Sequence, residues 1–108
     1  MVNQAEPSIK DIWIHTMEFV RVTTDKLEGD GLAKNSVVLV IALKALPVSE
    51  EDPWTQRIKL FVHKTVDGYV DQYAGIFVID PISVEKLSEE ENEKFYDLNA
   101  ERENATVQ

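Results

Sequence analysis

Apolar and polar residues alternate on both sides of a two-residue break, Asp67-Gly68, and the two alternating runs fit one another as the arms of a hairpin. In a two-residue loop the flanking residues pair, so Val66 faces Tyr69. Counting outward sets Lys64 against Asp71, Val62 against Tyr73, Leu60 against Gly75 and Ile58 against Phe77. The apolar groups then share a face, and the only charges on it meet as an opposite pair near the tip, as cross-strand pairing favours. The two strands are expected over 56–66 and 69–79. Upstream, 35–46 is apolar on both faces, with Val37, Leu39, Ile41 and Leu43 on one and Val38, Val40 and Ala42 on the other. Such a strand is covered on both sides. Pro47 ends it.

The segments flanking this β region read differently. Ile9, Ile12, Trp13, Thr16, Phe19, Val20, Thr23 and Leu27 recur at three- and four-residue steps, with Asp11, Glu18 and Asp25 opposite, which predicts an amphipathic helix over 9–27. Ser8 is its N-cap, Asp11 takes the capping-box position, and Gly29 or Gly31 is its stop. Against this reading, half of 9–24 is Ile, Val or Thr, residue types that favour strands. After Asp80-Pro81 and the lead-in Ile82 to Leu87, Ser88-Glu89-Glu90-Glu91 forms a capping box, with acids at the positive end of the helix dipole. It predicts a helix over 88–101. Phe95 and Leu98 continue a stripe begun by Val84 and Leu87, and Tyr96 points off it.

The expected fold is α+β: an N-terminal helix, a three-stranded antiparallel sheet turning at 67–68, and a C-terminal helix, with both helices on one face of the sheet. The alternative makes 11–24 a fourth strand of a β-rich sheet or small barrel carrying one C-terminal helix. Either way the 108 residues form a single domain, 1–108, frayed at about 1–7 and 104–108.

Composition narrows the function. The net charge of −9 repels nucleic-acid phosphates and anionic lipid, so direct nucleic-acid binding is not expected. Residues 82–108 hold eight acids against three bases, a net −5. Cysteine is absent, which removes disulfides and thiolate metal sites, and the lack of a secretory pattern makes the cytoplasm the expected compartment. The apolar run Val37 to Leu43 is far short of the roughly 20 residues a membrane helix needs.

Candidate chemistry is sparse. His15 and His63 have no partner at metal-ligand spacing, so no metal and no cofactor is expected. The runs Glu50-Glu51-Asp52 and Glu89-Glu90-Glu91 are contiguous, whereas acid–base catalysis needs two carboxyls converging on one bond. Gly29-Asp30-Gly31 lacks the phosphate-loop pattern, and no catalytic residue is assigned. Trp54 is different, because an aromatic in an acidic, Pro-bounded loop is a typical interface anchor. The chain is therefore expected to be a non-enzymatic, acidic interaction protein, of the inhibitor, immunity or nucleic-acid-mimic kind, that binds a basic protein. The expected contacts are Glu50, Glu51, Asp52 and Trp54 with Glu89, Glu90, Glu93 and Tyr96. A homo-oligomeric assembly subunit is the alternative, and a small-ligand domain or enzyme a further one.

Overall fold

The computed structural model describes residues 14–107, with side chains through Arg102. Six antiparallel strands form one sheet: β1 (Phe19–Val22), β2 (Val37–Pro47), β3 (Gln56–Val66), β4 (Tyr69–Val70), β5 (Phe77–Ile79) and β6 (Val84–Lys86). A single helix follows, α1 (Glu89–Val107). Lateral order is β4-β3-β2-β1-β6, with β5 beside β4 on the outer edge of β3.

The expected N-terminal helix is corrected: its core is strand β1, and residues 8–13 lie outside the described residues. The side chains explain the outcome. Phe19, Val20 and Val22 are all fully buried, but on opposite sides of the chain. A strand between two covered faces accommodates this, whereas a one-sided helical stripe does not. β1 pairs with β2 on one side and β6 on the other, so the three-stranded sheet is corrected as well, and the β-rich alternative is the nearer of the two readings.

Both faces of the sheet are packed. One carries Val20, Val22, Val38, Val40, Leu60, Val62 and Ile79, covered by Leu32 and Leu27 from the connection between β1 and β2. The other carries Phe19 and Leu39, which meet Leu87 and Phe95 of the C-terminal segment. A bulge at Ile41 divides β2, because Val40 faces Val62 but Ala42 faces Phe61. The extra residue moves Leu43 from the face of Leu39 to that of Val40, which corrects the simple alternation read along 37–43.

The hairpin turns where expected. Asp67 (φ 54°) and Gly68 (φ 87°) both lie in the left-handed region of a type I′ turn, and Val66 pairs with Tyr69. Beyond Asp71, whose amide donates to Lys64 O at 2.9 Å, the register departs from the expected one. The Asp71 carboxylate accepts from the amides of Tyr73 and Ala74 and caps a 3-10 turn, Gln72–Ala74, that leaves the sheet. When the chain returns, Val62 faces Phe77 instead of Tyr73, and Leu60 faces Ile79 instead of Gly75. The shift is an even number of residues, so Phe77 and Ile79 still point to the expected face.

The link between β5 and β6 sets the curvature. In a flat sheet, four strand spacings of about 4.8 Å place these strands about 19 Å apart. The five residue steps from Ile79 to Val84 reach at most about 18 Å fully extended, and Pro81–Ser83 is a compact 3-10 turn. The sheet must therefore curl until its edges approach.

Candidate interaction surfaces

The long strands β2 and β3 outrun their neighbours. β1 pairs β2 only over 37–39, and β5 pairs β3 only over 60–62. Among the described residues no strand pairs with the outer edges of the remaining ribbon, 42–47 with 56–59, although its lower part is flanked: Ile58 is buried, Lys59 binds Asp80, and the 3-10 turn Pro81–Ser83 lies against β3. Glu50, Glu51 and Asp52 sit in its tip, all exposed, and Trp54 is 90% exposed. Local hydrogen bonds hold this loop: the Asp52 amide donates to Ser49 Oγ (3.1 Å), the Thr55 amide to Asp52 Oδ1 (3.3 Å), and the Val48 amide to Thr55 O (2.8 Å).

At the other end of β2 and β3, α1 crosses the sheet. Ser88 caps it as expected: its Oγ accepts from the Glu91 amide at 3.1 Å and donates back to Glu91 Oε1 at 3.4 Å. Two asparagines seven residues apart, hence on one side of the helix, clip it to the strands. Asn92 accepts from the Phe19 amide and donates to Phe19 O, both at 3.2 Å, completing β1 where β6 has ended. Asn99 accepts from the Val70 amide at 2.9 Å and donates to Gly68 O at 3.0 Å, completing β4. Between them, Phe95 stacks at 5.5 Å on Phe19.

α1 sends the contiguous acids to different sides: Glu89 aligns with Glu93 and Tyr96 at i, i+4, i+7 spacing, Glu91 turns to the opposite flank, and Glu90 and Glu93 both line an outer side shared with Asp97 and Glu101. A shallow groove of about 510 Å³ runs there, floored by Phe95 and Leu98. Tyr96 is only half free, since its ring meets Phe19 edge-on at 5.3 Å. That burial, with Glu18 nearby, raises its pKa. On the opposite flank Glu91 takes a 2.9 Å hydrogen bond from Arg21, which with the Ser88 cap holds its carboxyl below the usual glutamate range. The two expected contact regions are thus not brought together. Ten residues of β2, about 33 Å of strand, separate the row of Val37 and Thr65 beneath α1 from the ribbon tip.

Elsewhere the histidines stand apart. His15 is exposed, with its amide donating to Glu18, and His63 Nδ1 lies 3.1 Å from Gly75 O. Among the described residues no three His, Asp or Glu side chains converge as a metal site, and no helix is long and apolar enough to cross a membrane. Sequence reasoning missed Asn92 and Asn99, the 3-10 excursion and the exposed segment that follows it. No family model, curated protein or solved structure matches the chain.

Proposed function

We propose that this chain is a protein-interaction module and not an enzyme, that its primary contact element is the projecting ribbon, and that its partner is basic. The observation that carries the reading is Trp54, 90% exposed on a hydrogen-bonded loop among Glu50, Glu51 and Asp52. A large apolar ring held in water loses solvation free energy that burial in a partner recovers, and tryptophan is enriched among the residues that dominate binding. The surrounding carboxylates favour a cationic rim around the pocket that receives it. The acidic flank and outer side of α1 add a long-range field without a matching anchor.

Affinity capture followed by kinetics with the purified partner tests this. The expected partner has a high isoelectric point, and Trp54→Ala raises the off-rate by about tenfold or more. Unchanged off-rates for both Trp54→Ala and a Glu50/Glu51/Asp52 to Lys variant overturn the assignment of the tip.

A further inference from the structure

We infer, on the reading of the ribbon tip as the contact element, that the tip recognises arginine. A guanidinium group on the partner's surface stacks on the Trp54 indole, and its in-plane N–H groups donate to the carboxylates of Glu50, Glu51 and Asp52. Two independent features of the tip meet in this group. The first is the ring. Trp54, at 90% exposure, leaves the faces of its indole to water, whereas Phe61 is already covered by Lys44 and Tyr69 by Arg102, each cation 5.1 Å from the ring centroid. The second is uncompensated charge. Arg21 pairs with Glu85 and Glu91, Lys59 with Asp80 and Lys86 with Glu18, but among the described residues no cation pairs with Glu50, Glu51 or Asp52. Asp52 commits only Oδ1 internally, to the Thr55 amide. Tyr73 supplies the contrast: it is fully exposed too, but 72–79 carries no charged residue, and the Asp71 carboxylate beside it is occupied by the amides of Tyr73 and Ala74.

This combination selects arginine over lysine. A guanidinium is planar and weakly hydrated, so it lies flat on an aromatic ring at little desolvation cost, and its five N–H donors point outward in its own plane. Stacked on Trp54, it keeps those donors for the carboxylates around the ring. An ammonium is compact and strongly hydrated, and must give up that hydration to approach the indole. Tryptophan is the strongest of the aromatic faces for a cation, and arginine and tryptophan are both enriched among residues that dominate interfaces. The loop is also held ready, since Ser49, Asp52 and Thr55 already fix its backbone.

Nuclear magnetic resonance titration of the full chain with capped Gly-Arg-Gly-Arg-Gly, and with its lysine and citrulline counterparts, tests this. The chain has two tryptophans, so the signal lost in Trp54→Ala identifies the Trp54 indole. Expected is a shift of that signal by the arginine peptide, binding of the lysine peptide weaker by about two- to fivefold, the increment an exposed cation–ring contact supplies, and no saturable binding of the planar but uncharged citrulline peptide. Trp54→Leu is expected to abolish the preference for arginine over lysine. Changing Glu50 and Glu51 to Gln and Asp52 to Asn together, which keeps an acceptor for the Thr55 amide, is expected to weaken the arginine peptide by about tenfold. Failure of the arginine peptide to bind, binding that leaves the Trp54 signal in place, equal affinity for arginine and lysine, or a preference that survives Trp54→Leu overturns the arginine assignment. The tip's role in partner binding is read separately, from the off-rates of the captured partner, so the two proposals fail independently.

Discussion

Gly68 has two constraints, and only one is visible in the sequence. Its φ of 87° is the backbone requirement that the Asp-Gly dipeptide announces. The second comes from the helix: a Cβ built at Gly68 lies 2.8 Å from Leu98 Cδ2 and 3.1 Å from Phe95 Cε1. Gly68→Val is therefore expected to cost at least about 2 kcal/mol, combining left-handed strain with overpacking. Denaturant unfolding of the variant with and without Leu98→Ala separates the two, since only the collision is relieved by shortening Leu98. A cost below 1 kcal/mol contradicts the close approach. Glu91 gives a pH signature. Its carboxyl titrates below the usual glutamate range when folded, chiefly through Arg21, so the pair stabilises the fold above the unfolded glutamate pKa. That contribution is lost as pH falls through the lowered folded value. The stability difference between wild type and Arg21→Met should accordingly be present at neutral pH and shrink on acidification. A difference that grows instead reverses the assignment.

At the level of elements, legibility followed locality. The turn at 67–68 and the cap at Ser88 depend on residues within a few positions of each other, and both stand as read. β1 could not be settled locally. Phe19 and Val20 are buried against different layers, and those layers, α1 on one side and Leu32 on the other, come from distant parts of the chain. The bulge at Ile41 and the excursion at 72–74 are likewise invisible to a count that assumes unbroken pairing, although Asp71 and Gly75 are suitable residues for a capped turn. Asn92 and Asn99 carry no local signal of their role, yet each completes a strand edge. Asn99→Ala leaves the Val70 amide and Gly68 carbonyl without their partner, with an expected loss of about 1–2 kcal/mol. Hydrogen exchange checks it locally: the Val70 amide should lose protection in the variant, and unchanged protection means water replaces the side chain at no cost.

For the whole molecule, the acidity that sequence made conspicuous is divided by the fold into two fields. Glu50, Glu51 and Asp52 surround the ribbon tip, while Glu89, Glu90 and Glu93 lie on α1 near the other end of the long strands. Their separation of about 33 Å of strand is several times the ~8 Å screening length at physiological ionic strength. A partner seated on Trp54 therefore hardly feels the α1 acids at that ionic strength, and they steer its approach chiefly at low salt, where the screening length grows to roughly 30 Å at 0.01 M. Reversing Glu89, Glu90 and Glu93 to Lys should then slow association, most strongly at low salt, and leave dissociation unchanged. Trp54→Ala should do the reverse, raising the off-rate with little effect on the on-rate. Surface plasmon resonance across a salt series distinguishes these outcomes once the captured partner is purified. If the triple reversal accelerates dissociation as much as Trp54→Ala does, the partner touches α1 directly, and the contact surface extends well beyond the ribbon.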